Sequence, residues 1–155
     1  MTELAGNDQT MMDLAIEQAE RGLGEGGVPI GAVLAADGQV LGAGRNRRVQ
    51  LGSAIRHGET DALENAGRLA ATTYQQATMY TTLSPCHMCT GAILLYDIPR
   101  VVIGENETFL GAEDLLRSHG VEVINVRSQR CVDLMSAFIA EHPDLWNEDI
   151  GEPHD

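Results

Sequence analysis

Asp37-Gly38 stands between two strand-like runs, Pro29 to Ala36 and Gln39 to Gly44. An Asp-Gly pair suits the two positive-φ positions of a tight hairpin turn, so these runs are expected to pair antiparallel. Ahead of them, Asn7 or Asp8 can cap a first helix in which Met12, Ala15, Ile16, Ala19 and Leu23 recur at helical spacing, and glycines 22, 24, 26 and 27 end it. Behind the hairpin, helix and strand alternate. The pattern predicts a helix from about Gly58 to Leu69, a strand over Thr78 to Leu83, and a helix over Cys86 to Tyr96. It continues with a strand over Arg100 to Gly104, a short helix over Ala112 to His119, a strand over Val121 to Val126 and a helix over Cys131 to Glu141. Alternation of this kind predicts an α/β fold: a largely parallel sheet, helices on both faces, and the hairpin as an antiparallel edge.

The 155 residues suit one domain spanning 1–155, with no linker, repeat or low-complexity run to divide it. At 43% hydrophobic residues the chain can bury a core despite its charge. Ten cations against 23 acids give 10 − 23 = −13, and every cation is arginine. Phosphate affinity comes largely from cation contacts, so this balance argues against nucleic acid and anionic membranes as partners. The absence of lysine excludes a Schiff-base lysine and a P-loop lysine. Three cysteines do not make a disulfide framework, and the first cation is Arg21, so no secretory n-region is expected. Residues 69–96 carry no Asp, Glu, Lys or Arg, yet Gln75, Gln76, Pro85 and His87 interrupt them, which is not the pattern of a membrane span. A soluble, cytoplasmic chain is expected.

Two motifs are decoys. Gly22-Leu-Gly-Glu-Gly-Gly27 matches GxGxxG but leaves a helix and enters a strand, the reverse of a dinucleotide fingerprint. Asn106-Glu-Thr108 matches a glycosylation sequon but reads as a loop after a strand.

The chemistry is concentrated in His57-Gly-Glu59 and Pro85-Cys-His-Met-Cys89. Cys86 and Cys89 are three apart and share a helix face. Ser84 suits an N-cap and Pro85 a first helical position, which would place both thiols where the positive end of the helix dipole favours thiolates. Two thiolates and one imidazole make a Cys₂His set with a fourth position open, the arrangement of catalytic rather than structural zinc. His57 and Glu59 would diverge within a helix, so the pair works best at a helix entry, with His57 on the metal and Glu59 over the bound water. A redox role for the cysteines would leave His57 and Glu59 unexplained. Cys131, followed by Leu134, Met135 and Phe138, reads as a buried structural thiol, and His119, His142 and His154 as surface residues.

An HxE segment followed by PCxxC is the signature of zinc-dependent nucleobase deaminases. With Gly26-Gly-Val-Pro-Ile-Gly31, Leu63-Glu-Asn65, Tyr80-Thr-Thr-Leu-Ser-Pro-Cys86, Met88-Cys-Thr-Gly-Ala-Ile93 and Glu148-Asp-Ile-Gly-Glu152, the chain resembles the yeast-type cytosine deaminases of the cytidine deaminase-like superfamily over nearly its whole length. The resemblance implies a three-layer α/β/α sandwich with a five-stranded mixed sheet, one zinc per subunit on His57, Cys86 and Cys89, and a homodimer acting on a small nucleobase. It implies hydrolysis of cytosine to uracil and ammonia by a zinc-activated water, with Glu59 as proton shuttle. Asn46 and the Gly58 N–H would grip the O2/N1 edge, Asp149 would face the exocyclic amine, Phe109 and Trp146 would wall the ring, and Ser84 would border it.

The chain departs from the family at Val49, where an aromatic is usual and where one side of the pocket would widen. It departs again at His87, expected on an outward rim. Trp146 and Asp149 stand three apart after Pro143, so one turn would present both as a lid. Competing readings are a deaminase of another amino-heterocycle (guanine, isocytosine, an s-triazine or a 5-substituted cytosine), a tRNA adenosine editor, which the charge opposes, and a non-catalytic zinc domain, which would not need Glu59.

Overall fold

The computed structural model describes residues 4–153; His154 lies outside them. The elements are α1 (Asp8–Gly24), β1 (Gly31–Ala36), β2 (Gln39–Arg45), α2 (Arg48–Leu51), α3 (Gly58–Ala66), α4 (Ala71–Tyr74), β3 (Thr78–Thr81), α5 (His87–Leu95), β4 (Arg100–Ile103), α6 (Glu113–Ser118), β5 (Glu122–Asn125), α7 (Gln129–Glu141) and α8 (Pro143–Asp149). The sheet has five strands in the order β2-β1-β3-β4-β5. β1 runs antiparallel to both β2 and β3, and β3, β4 and β5 are mutually parallel.

The hairpin turn behaves as its sequence demands: Asp37 and Gly38 both take positive φ, 52° and 74°. Period-2 alternation then sorts the strands onto two cores. Ala32, Leu34, Met79, Val101, Ile103 and Val123 face α3, α5 and α6, meeting Ala62, Ile93 and Leu116. Val33, Ala35, Tyr80, Val102 and Ile124 face the other way, onto Met12, Ala15 and Ile16 of α1 and Cys131 of α7. The architecture is therefore the expected three-layer α/β/α sandwich with a mixed sheet. A third cluster, Val28, Ile30, Leu83, Met135, Phe138 and Trp146, closes one end, where α8 folds back on α7.

Differences from the sequence reading have local causes. The helix expected to reach Leu69 stops at Ala66, because Gly67 takes φ 82°. Leu23 is on the solvent side of α1 rather than in the core. The one-turn helices α2 and α4 lie where loops were expected. The glycine run that mimics a fingerprint does leave α1 for β1, and Asn106 to Thr108 is a loop after β4.

At the end of the sheet opposite the conserved-looking motifs, Asp8 is buried and held by Arg100 through two bonds, Nη1 to Oδ1 at 2.7 Å and Nη2 to Oδ2 at 2.6 Å, with Tyr80 Oη donating at 2.6 Å. Arg100, opposed by burial and assisted by Tyr80, holds the Asp8 carboxyl down at about 2 from an ordinary 3.8. A depressed carboxylate stabilises above the unfolded value and loses that contribution as pH falls through the folded one. Lowering the pH from about 4 to about 2 should therefore cost the wild type about 2 kcal/mol of stability that Asp8→Asn does not lose, measured as unfolding free energies from denaturant titrations at the two pH values. Parallel acid profiles for the two proteins would contradict this assignment.

Candidate metal and base-binding site

α3 and α5 begin beside each other at the carboxyl end of the parallel strands, where α/β sheets place their ligands. His57 is the N-cap of α3 with an extended backbone, and its N–H donates to Thr60 Oγ1 at 2.9 Å. Glu59 follows in the first turn, so the helix-entry arrangement expected of His57 and Glu59 is present. Cys86 is the N-cap of α5, with Cys89 three residues on.

The expected Ser84 cap and Pro85 helix start are corrected by these boundaries: α5 begins at His87. Ser84 is occupied otherwise, its hydroxyl donating to Glu113 Oε2 at 2.6 Å and accepting from the Gly111 N–H at 2.9 Å. The Pro85 carbonyl accepts from the Ala112 N–H at 3.0 Å. Gly111 comes so close to this carbonyl that a Cβ there would overlap it, which is why the loop needs glycine. The loop carrying Phe109 is thereby fastened to the segment carrying Cys86. Nothing in the local sequence flagged Glu113, because one glutamate in a short amphipathic helix reads as solvated.

His57 Nδ1 is 3.5 Å from Cys86 Sγ and 3.8 Å from Cys89 Sγ, and the three donor atoms all lie within 4.8 Å of one another. Tetrahedral zinc, at about 2.3 Å from sulfur and about 2.0 Å from nitrogen, would set N and S roughly 3.6 Å apart. The soft thiolates and the imidazole fit one such ion, and among the described residues no other group of three donors is so placed. Cys131 is buried elsewhere, against Gly104. The Cys89 thiol donates to Cys86, which draws Cys86 down to about 4, with His57 acting the same way, and pushes Cys89 up. Burial opposes a charged His57, but Cys86, Asp149 and Glu59 outweigh it and raise the ring to about 9. Metal on these donors therefore displaces protons.

Glu59 is buried, and burial followed by the Cys86 charge pushes its carboxyl up to about 7, where it can take and return a proton near neutrality. Asp149 Oδ2 stands 3.6 Å from His57 Nε2, and Asp149 Oδ1 accepts from Asn46 Nδ2 at 2.7 Å. Asn46 is fully buried behind Asp149, and its Oδ1 accepts from the Arg48 N–H at 3.1 Å, leaving one N–H and one lone pair without a partner; neither Asn46 nor Gly58 lines the recess beside the donors. Gly58 is the first residue of α3, where helix amides have no intrahelical partner.

The recess beside the donors is narrow, with about 20 Å³ of free space, and is lined by Glu59, Ser84, Cys86, Phe109, Trp146 and Asp149 among others. That is room for about one water. Phe109 and Trp146 meet edge to face with centroids 5.7 Å apart. Trp146 is both core and wall: it belongs to the third apolar cluster and lines the recess. His87 is exposed and lines the outer groove, the rim position expected of it, whereas Val49 lines neither the groove nor the recess, so no widening arises there. His119 and His142 are exposed.

The family model described as cytidine and deoxycytidylate deaminase zinc-binding region matches residues 5–105. A cytosine deaminase of Candida albicans is 57% identical over 147 residues, covering 94% of this chain and 98% of the relative. A tRNA-specific adenosine deaminase of Streptococcus pyogenes is 34% identical, covering 84% of this chain and 88% of the relative. A structure from work on A-to-I editing by tRNA:A34 deaminases superposes with TM-score 0.71 at 28% identity, over 81% of this chain and 99% of that one. A guanine deaminase of Nitrosomonas europaea, at 21% identity and TM-score 0.67 over 90% and 87% of the two chains, shares the fold. With its donor triad inside the matched region, the chain belongs to the zinc-binding cytidine and deoxycytidylate deaminase family.

Proposed function

We propose that this chain, as one domain over 1–155, is a cytosine deaminase that hydrolyses the free base to uracil and ammonia. The observation that carries this reading is the three-donor metal site, with buried Glu59 on one side and the Asp149–Asn46 pair on another. The 57% identity to the Candida albicans cytosine deaminase supports it. Zinc on His57, Cys86 and Cys89 would supply an acidified water and stabilise charge at the ring carbon that bears the amine. Glu59 takes one proton from the adding water and hands it to ring N3, then takes the proton of the newly added hydroxyl and passes it to the amine nitrogen as the C–N bond breaks, leaving the uracil carbonyl and ammonia. Asp149 accepts from the exocyclic amine, held for this by Asn46, while Asn46 and the Gly58 N–H bind the O2/N1 edge. Phe109 and Trp146, packed edge to face, wall the base and exclude water, which strengthens these charge interactions. Ser84 borders the ring with little hydrogen-bonding capacity left, since Glu113 and Gly111 occupy its hydroxyl.

A polynucleotide substrate is disfavoured by charge. Net charge is −13, and the arginines nearest the site, Arg45, Arg47, Arg48 and Arg56, are already paired with carboxylates. Among the described residues no helix is long and apolar enough to cross a membrane. The three free thiols suit a reducing compartment, and we place the enzyme in the cytoplasm. Val49 and Leu51 on α2, Ile55 in the loop after it, and Met88 and Leu95 on α5 are exposed apolar side chains, and Met88 also lines the groove. Exposed apolar side chains of this kind suit a second copy of the chain. Sedimentation should accordingly give twice the 16.7 kDa chain mass, reduced to the monomer by Leu95→Glu. A wild-type monomer at micromolar concentration would contradict the dimer.

An ammonia-release panel over cytosine, isocytosine, guanine, adenine and a tRNA anticodon stem tests the reaction. Cytosine should be turned over best, in protein holding one zinc per chain, and chelation should abolish turnover. Guanine or tRNA as the best substrate, or full activity without metal, would contradict the proposal. Glu59→Gln should keep zinc and lose about 10²–10⁴ in rate, and Asp149→Ala at least about tenfold in kcat/KM, or about 1.4 kcal/mol. A near-normal rate in either variant would reassign that role.

A further inference from the structure

We propose that Asp61, with Arg47 and Arg56, is the positioning device of the base-binding side: one buried carboxylate sets where Asn46 and His57 stand. This rests on the reading of Asn46 and His57 given above.

Asp61 is wholly buried on α3, one turn after His57, and its N–H donates to the His57 carbonyl at 2.8 Å. Its Oδ1 accepts from Arg47 through Nε at 3.1 Å and Nη2 at 2.8 Å, and from Arg56 through Nε at 2.9 Å and Nη2 at 2.6 Å. Its Oδ2 accepts from the Arg45 N–H at 2.9 Å. One side chain thus gathers the residues on both sides of Asn46 and the residue just before His57. The chain between them is the one-turn helix α2 and the exposed segment Leu51–Gly52 and Ala54–Ile55, which has little packing of its own to hold those two positions. Arg47 N–H donates to the Arg56 carbonyl at 2.9 Å, closing the segment into a loop whose ends share the Asp61 anchor.

Burying three charges is a poor way to gain stability alone, since well-packed apolar groups do as well or better. What the charges add is direction: two guanidiniums and an amide fix the carboxylate, and it fixes them. Asn46 inherits that placement and passes it on, through its 2.7 Å bond, to Asp149. No sequence signal marks Asp61, because an acid four residues into a helix reads as a favourable, solvated charge.

The test uses the zinc-loaded protein, cytosine kinetics, and titration with uracil read from the fluorescence of Trp146, the chain's single tryptophan. Asp61→Asn should keep one zinc per chain, raise KM for cytosine and weaken uracil about tenfold, with kcat less affected. Arg47→Gln, which leaves Arg56 in place, should weaken uracil several-fold, and should do nothing more in an Asn46→Ala background, because it acts through Asn46. If Asp61→Asn does not fold, the Arg47→Gln and Asn46→Ala cycle decides alone. Uracil affinity within twofold of wild type in Asp61→Asn, or an Arg47→Gln effect of equal size with and without Asn46, would overturn the proposal. A silent Asn46→Ala would overturn the reading of the pocket, and this proposal with it.

Discussion

Three soft and borderline donors can share one ion only if two helix N-termini meet at one point, and the rest of the molecule follows from that demand. His57 caps α3 and Cys86 caps α5, so both helices must start at the same end of the sheet. They do so because β1 lies between β2 and β3, antiparallel to both, which leaves β2 and β3 pointing the same way. Asn46 after β2, Cys86 after β3 and Phe109 after β4 are then carried to one rim. The hairpin turn at Asp37-Gly38 is what permits this order, since it reverses the chain within two residues and sends β2 towards the site.

Buried charge is handled in two ways. Around Asp61 and Asp8, arginines accompany each buried carboxylate, and the acids are held in the charged form. Around Glu59 and Asp149 no arginine contacts the carboxylate, and burial pushes both carboxyls up. Proton-handling acids and architectural acids therefore occupy neighbouring positions on the same helix, Glu59 and Asp61, with opposite environments. The all-arginine cation set suits the architectural role, because a planar guanidinium presents two donors to one carboxylate as at Arg47 and Arg56.

The strands, long helices and donor triad were legible because each is written locally: period-2 runs, helical spacing, an Asp-Gly turn, a CxxC and an HxE. What stayed hidden depends on contacts between distant segments. The one-turn helices α2 and α4 are too short to show a period. The misread start of α5 came from treating Ser84 as a local cap, when its hydroxyl is taken by Glu113, 29 positions away. The resemblance implies a pocket widened at Val49, yet α2 turns that side chain to solvent. Trp146 is expected beside the site, and the fold also packs it into the third apolar cluster. The substrate side of the site rested on resemblance, and the physical part of that picture is the 2.7 Å bond between Asn46 and Asp149, 103 residues apart.

The most direct test of the account is a crystal structure of zinc-loaded Glu59→Gln soaked with cytosine, with the metal located by anomalous scattering. The account predicts one zinc per chain on His57 Nδ1, Cys86 Sγ and Cys89 Sγ, with a fourth position free of protein, and the ring walled by Phe109 and Trp146 with its amine on Asp149. Zinc closed by four protein ligands, or cytosine lying in the outer groove by Leu110 with the inner recess vacant, would contradict it.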